Sequence, residues 1–498
     1  MSVAAASSIS MASLGSVDVR RVTAPAYDIG DVRVGVVHIG LGAFNRAHQM
    51  EYFDKLLALD PHWAVCGVSM NSRAAIDTLA RQDGLYTLAL LDDTVRFKII
   101  GALRETAMAQ DSLCLSRLAD PETQVVTLTV TEKGYCLNAS GTLDFSNAGI
   151  TKDLSSPKSA STVIGLLVRG LKARMSKRTG GIDILSCDNL TGNGSKLRGA
   201  VLEMAQAIEP DLVPWIEDHV CFPDSLVDAI TPATDDDLRL RVLQATGIHD
   251  AWPIQREAFA SWIIERPESQ RSSALADAGV VFTPDARAHA QAKLWLLNGA
   301  HSALAYLGLA MGKATVAEAM RDSTLEAFVT SMMREEIAPR LTPAEGLNVD
   351  AYSQSLLQRF RNPALVHNLS QIAWDGSQKL PIRLLATIEQ GLKSGARIDK
   401  LCTAVAAWMR FLRRMTLSGA AMVDPMAGRL QALAATLQDE DTDVSVFLTL
   451  DDIFPSALAS EPIFRARLEA GYQFVMKLES ATYQSSAART AEHTKQGE

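Results

Sequence analysis

The sequence predicts an α/β chain in two parts: a doubly wound N-terminal domain on a parallel sheet, followed by an all-α C-terminal domain. Three observations predict it. Short apolar runs alternate with helical stretches as far as Phe282, the pattern of strands joined by crossover helices. Beyond Phe282 strand-like runs nearly vanish, and long segments of helical period replace them. The 498 residues also exceed what one hydrophobic core organises, so two domains are expected. The boundary falls near residue 285, giving domains 30–285 and 286–498.

Taken in order, residues 32–39 (VRVGVVHI) read as a short buried strand, punctuated by Gly40 and Gly42. Residues 43–57 follow as a helix with Phe44, Ala47, Tyr52 and Leu56 at apolar positions. The run 63–68 (WAVCGV) is a second strand, and 95–100, 125–130 and 182–186 are further strands. A polar turn and a helix over 194–208 come after the last of these. In the second half, helical period covers 286–311, 316–337, 384–391, 398–417, 426–437 and 463–480. Residues 1–17, small and polar, are expected to be a flexible lead-in, and 485–498 a frayed polar end.

Composition excludes several function classes. The net charge is −9, and such a surface repels nucleic acid and anionic lipid as general partners. A local basic pocket can still receive a small anion. No apolar run is long enough to span a bilayer, and residues 1–17 lack the basic start and apolar stretch of a signal peptide. The six cysteines are scattered without a CxxC pair, which predicts reduced core thiols. Together these features predict a cytoplasmic protein.

Four motifs carry chemistry. The first is strand–Gly40-Leu41-Gly42–helix, where glycines let the backbone turn tightly and approach a pyrophosphate at a helix N-terminus. Alone it reads equally well as a turn, and Asn45 stands where a third glycine is usual. The acid that normally binds a ribose after the second strand is absent. Ser69, Met70, Asn71, Ser72 and Arg73 occupy that stretch. Asn71 can bond a ribose hydroxyl; Arg73 either faces a 2′-phosphate or is solvated, so the choice between NAD and NADP stays open.

The second motif is AKLWLLNGAHS. At 100° per residue, Lys293, Asn298 and His301 lie at about 0°, 140° and 80°, within one broad helix face. Apolar neighbours including Trp295 favour a lowered lysine pKa and so a base. On its own the segment also reads as a snorkelling lysine, an Asn-Gly helix end and a satisfied core histidine. The third motif is Cys187-Asp188-Asn189-Leu190, beyond the carboxyl end of the strand 182–186, where open α/β sheets bind ligands. Asn189 either donates to a carbonyl oxygen or opens the next helix as an Asx turn. The fourth comprises His367 and the turn sequence around Asp375, with Lys379 solvated or aimed at substrate. There is no HExxH motif, Cys/His cluster or GxSxG, so no metal site and no serine hydrolase is predicted.

Together these residues resemble the mannitol dehydrogenase family of long-chain polyol dehydrogenases. The matching stretches are HIGLGAFNRAHQ (38–49), QDGLYTL (82–88), TEKGY (131–135), SCDNLTGNG (186–194), FPDSLVDAITPAT (222–234), KLWLLNGAHSALAYLG (293–308) and RNPALVHNLSQIAWDGSQKLPIR (361–383). The resemblance implies a Rossmann-type first domain, a helical second domain and an active site between them. It implies that Lys293 is the general base or acid, that Asn189 and Asn298 form an oxyanion hole, and that His301 bonds the substrate. His367 and Lys379 would lie near the far end of the sugar, and Asp228 near the nicotinamide. The expected cofactor contacts are Ile39, Gly40, Gly42, Ala43, Phe44, Asn71, Arg73, Glu132 and Asp228, with NAD expected on family tendency and no metal.

Four departures matter. Asn45 replaces the usual His after Phe44, the acid after the second strand is missing, and Ala290 stands where Glu often precedes the lysine by one turn. Gln371 stands where mannitol-oxidising members tend to have Arg. The run 371–383 instead resembles the branch acting on fructuronate and mannonate, and some pentitol enzymes. A sugar acid is therefore the favoured substrate, reduction of D-fructuronate to D-mannonate above all, with Lys379 and Arg383 as counter-charges for its carboxylate. Mannitol or D-arabinitol is the alternative substrate, and a nucleotide-binding protein without catalysis is the alternative class. Monomer and dimer remain equally open.

Overall fold

The computed structural model describes residues 7–18, 20–92, 94–156, 159–440 and 442–495, with side chains described through 482. Two compact units are present, Met1–Arg287 and Ala288–Glu498.

The first unit is built on six parallel strands: β1 (Val34–Ile39), β2 (Ala64–Ser69), β3 (Leu103–Met108), β4 (Val125–Leu128), β5 (Ile182–Ser186) and β6 (Val220–Cys221). Their order is β3-β2-β1-β4-β5-β6, so the chain reverses direction across the sheet between β1 and β4. That switch point is where doubly wound folds bind dinucleotides. Every residue of β1, β2, β4 and β5 is buried, which is why they read as predominantly apolar runs. The helices Ser112–Leu118, Val163–Lys177 and Asn193–Ile208 lie in the crossovers that parallel pairing requires.

Several expectations are corrected here. The strand expected over 95–100 does not join the parallel sheet: Arg96–Ile100 pairs antiparallel with Tyr86–Leu91 in a second sheet of four strands. The strand β3 was not anticipated, because Arg104, Glu105 and Thr106 break its apolar pattern at the sheet's edge. The lead-in is not loose where it is described. Met11–Ser16 forms a 3-10 turn capped by Ser10, while Ile9 and Val17 bury apolar side chains and Ile9 N donates to His249 O at 2.9 Å. Residues 1–6 of that stretch lie outside the described residues.

The second unit is helical. Gly299–Ala310 is apolar apart from His301, Ser302 and the Tyr306 hydroxyl and almost wholly buried, as a helix at the centre of a core must be. Burial of Leu304 or Leu307 there stabilises the unit by roughly 1.5–3 kcal/mol each. Asp399–Ser418 packs along Pro462–Lys495, and Gly471 permits the approach: a Cβ there would stand 2.8 Å from the Thr403 Cα. The buried Glu336 carboxylate accepts from Lys400 N and Leu401 N and so satisfies the first amides of Asp399–Ser418. The helix expected over 316–337 is broken: Asp322 caps a new start at Ser323, and Met332–Ile337 widens into a π-helical turn. The last helix continues in backbone to Lys495, past the frayed end expected from 485; residues 496–498 lie outside the described residues.

Candidate functional site

The carboxyl ends of β1, β2 and β4 frame a cavity of about 410 Å³ lined by Gly40, Leu41, Ser69–Ser72, Thr129–Thr131 and Lys133, among others. The two glycines have different jobs. Gly40 has φ +102°, and a Cβ there would meet Thr129 O at 2.2 Å, so the fold itself demands glycine. Gly42 has ordinary extended backbone, and a Cβ would find nothing closer than Gly40 O at 3.5 Å. The empty space beside Gly42 is what a closely approaching pyrophosphate needs. Asn45, at the third position of the motif, is fully buried, and neither amide atom finds a hydrogen-bond partner among the described residues. The segment turns at His48, whose Nε2 lies 2.9 Å from Ser261 O and whose ring stacks on Phe44 at 5.1 Å.

Among the described residues, no carboxylate lines the cavity. Asn71 is among its walls; Arg73 is exposed and reaches Asp111 at 3.7 Å. Glu132 is exposed between the lining residues Thr131 and Lys133, Ala43 is exposed, and Ile39 is the buried last residue of β1. Asp228 is buried at the end of an antiparallel strand, opposite Ser261. These residues suit a dinucleotide, with hydroxyl and amide groups in place of an acid at the ribose.

The loop after β5 holds Asn189 exposed. Its neighbours brace it. Asp188 accepts from Val130 N (2.8 Å), Thr131 N (2.7 Å) and the Tyr135 hydroxyl (3.0 Å), and burial raises its pKa despite those bonds. Asn193 Nδ2 donates to Ser186 O, Asp188 O and Ser225 O, while its Oδ1 accepts from Ser225 N. Gly194 is pressed against Phe222 O and Pro223 O, where a Cβ would stand within 2.5 Å of both. Much of SCDNLTGNG and FPDS is therefore a knot that fixes the ends of β4 and β5. Sequence reasoning took only Asn189 from it; the signal it passed over was a run of Asn, Asp and Gly longer than one turn needs.

In the second unit the helix carrying Lys293 is not uniform. Lys293–Asn298 is π-helical and Gly299–Ala310 is α-helical. With i→i+5 bonding each residue turns by roughly 80° in place of 100°, so Lys293, Asn298 and His301 fall at roughly 0°, 40° and 340°. The three share a narrower face than a regular helix would give. Gly299 lets the segment Pro381–Leu385 come close: a Cβ at Gly299 would be 3.1 Å from Arg383 O.

His301 is buried, with its ring 4.6 Å from Phe360 and 5.0 Å from His367. Its Nε2 and the Nδ1 of His367 are buried without a hydrogen-bond partner among the described residues. Burial drives the His301 pKa well below its ordinary value, reinforced by His367, Arg359 and Arg383; burial also lowers that of His367. Both imidazoles are neutral near pH 7. Lys379 Nζ donates to Trp374 O (2.5 Å) and Ile372 O (3.4 Å) and lies 3.9 Å from Asp375. Arg383 Nη1 reaches Asn298 O at 3.5 Å and Ser302 Oγ at 3.3 Å. The arrangement gathers two neutral imidazoles with the Arg383 guanidinium, whose charge also reaches the Lys379 amine, a set of groups suited to a substrate rich in oxygen. Among the described residues, no group of three or more His, Cys, Asp or Glu is placed to hold a metal ion.

Comparison with known proteins gives a consistent result. Residues 34–275 match the profile of the mannitol dehydrogenase Rossmann domain, and residues 285–476 that of the mannitol dehydrogenase C-terminal domain. The chain is 37% identical over 469 residues to D-mannonate oxidoreductase of Escherichia coli K12, covering 91% of this chain and 95% of that one. It is 34% identical over 428 residues to a mannitol 2-dehydrogenase of Phaeosphaeria nodorum, covering 83% and 75%. Among solved structures, the Pseudomonas fluorescens mannitol 2-dehydrogenase ternary complex with NAD and D-mannitol superposes with a TM-score of 0.76 at 34% identity, covering 97% of this chain and 99% of that one.

Proposed function

Because the chain belongs to the mannitol dehydrogenase family of oxidoreductases, we propose that it is an NAD-dependent, metal-independent reductase of an open-chain sugar acid, converting D-fructuronate to D-mannonate. The observation that carries the reading is the π-helical turn that lines up Lys293, Asn298 and His301 on one face. Gly40, Gly42 and Asn71 hold the cofactor, whose nicotinamide, when bound, supplies or accepts the hydride.

The chain's own groups do the rest. Lys293 Nζ gives a proton to the carbonyl oxygen as it becomes a hydroxyl, and takes it back in the reverse direction. The amides of Asn298 and Asn189 donate to that oxygen as negative charge develops on it. His301, held neutral, offers a hydrogen bond to a substrate hydroxyl without placing a second positive charge beside Lys293. His367 continues the same polar wall.

The test is a panel of fructuronate, tagaturonate, fructose and pentuloses with NADH, compared by kcat/KM. Fructuronate is expected to lead. Fructose or a pentulose in first place would replace the sugar-acid reading with a polyol one. NADH binding without turnover of any of them would mean a nucleotide-binding protein that does not catalyse.

A further inference from the structure

Three buried guanidiniums among the described residues are compensated by carbonyls or carboxylates. Arg174 donates to the carbonyls of Leu118, Asp120, Thr179, Gly180 and Gly181. Arg256 pairs with Glu51, and Arg410 pairs with Asp439 and Glu479. Arg46 leaves Nε and Nη2 without a hydrogen-bond partner among the described residues, but it donates to Trp252 O and lies over the rings of Trp252 (3.9 Å) and Tyr86 (5.2 Å).

Among the described residues, Arg383 has no acid, no cluster of carbonyls and no aromatic face beneath it. Its bonds are the two long ones from Nη1, to Asn298 O at 3.5 Å and Ser302 Oγ at 3.3 Å. Its Nε is buried without a partner, and no carboxylate of the described residues lies within 4.0 Å. A half-buried guanidinium with no counter-charge beside it is costly, so such an arrangement persists where an anion completes it. Its position tells which anion. Arg383 touches the backbone of Asn298, and its charge reaches His301 and Lys379. The planar fork suits a carboxylate bound through two oxygens. Lys379 is the other cation of this run, but two carbonyls and Asp375 already engage its ammonium.

Resting on the sugar-acid reading above, we infer that Arg383 is the residue that recognises the substrate's carboxylate, and that Lys379 braces the turn 372–375. The anion expected is the terminal carboxylate of an open-chain keto acid of sugar size.

The experiment compares wild type, Arg383→Met, Arg383→Lys and Lys379→Met by the ratio of kcat/KM for fructuronate to that for fructose. Inhibition by D-gluconate against fructose is measured in parallel. Loss of one partner of a buried charge pair is expected to lower the ratio on the order of 100-fold in Arg383→Met and to raise the gluconate inhibition constant similarly. Arg383→Lys, which keeps the charge but not the fork, should fall between, and Lys379→Met should lower both substrates alike. If wild type prefers fructuronate and Arg383→Met and Arg383→Lys keep that preference, or if Lys379→Met alone collapses it, Arg383 is not the carboxylate site although the sugar-acid reading stands. If wild type prefers fructose, both fall together.

Discussion

The two glycines of the nucleotide loop should separate under substitution. Alanine at Gly40 must hold φ near +102° with its Cβ at 2.2 Å from Thr129 O and 2.8 Å from the Thr129 carbonyl carbon. The left-handed conformation costs about 1–2 kcal/mol and the backbone overlap about 1–3 kcal/mol, so Gly40→Ala should destabilise the first unit by roughly 2–5 kcal/mol. For a unit of this size that is a fall in Tm of roughly 3–8 °C. Alanine at Gly42 meets no protein atom nearer than 3.5 Å and adopts its backbone without strain, so Tm should stay within about 1 °C. The new methyl does occupy the space beside the loop, and NADH should bind at least about tenfold more weakly. Thermal melts and fluorescence titration with NADH read both effects. A Gly42→Ala protein that binds NADH like wild type would refute the placement of the pyrophosphate. An unaltered Tm in Gly40→Ala would refute the steric account.

Other outcomes follow from the same geometry. Asn298→Ala and Asn189→Ala should each lower kcat by about 100- to 1000-fold; an unchanged kcat with raised KM would make them binding groups only. NADH should be preferred to NADPH, and an NADPH preference that collapses in Arg73→Ala would reverse the cofactor assignment. Burial pushes His38 and His48 down to about 3, so both fold as neutral imidazoles and the unfolded chain binds their protons first. Their contribution to stability is complete above the unfolded value near 6.5 and is lost as pH falls from there toward about 3. Denaturant midpoints that stay constant between pH 6.5 and 4 would contradict this.

How much was legible depends on what each residue's neighbours are. The strands β1, β2, β4 and β5 were legible because both faces are buried and apolar residues dominate them, with His38, Thr127 and Asp183 as isolated polar positions. The edge strand β3, carrying Arg104 and Glu105, was not, and neither were the short strands Ser225–Asp228 and Ser261–Glu265, whose pairing is set by distant chain. In the candidate site, Lys293, Asn298 and His301 were readable as a set. Their closeness was not, since a 100° step cannot show a π turn. Residue types favoured Lys379 at the substrate, with Arg383 as a second candidate counter-charge; the carbonyls of Ile372 and Trp374 around Lys379, and the lack of an acid around Arg383 among the described residues, reverse that order. Gly40 and Gly42 look identical in sequence because the difference lies in Thr129, about ninety residues away.

The central claim is that the chain reduces a ketone with a proton supplied by Lys293. It is tested most directly by single-turnover mixing of fructuronate with enzyme-bound NADH, in wild type and Lys293→Ala, following nicotinamide absorbance. Wild type should consume one NADH per ketone reduced. Lys293→Ala should bind NADH with unchanged affinity and react about 100- to 10,000-fold more slowly. Turnover in Lys293→Ala at the wild-type rate would contradict the account.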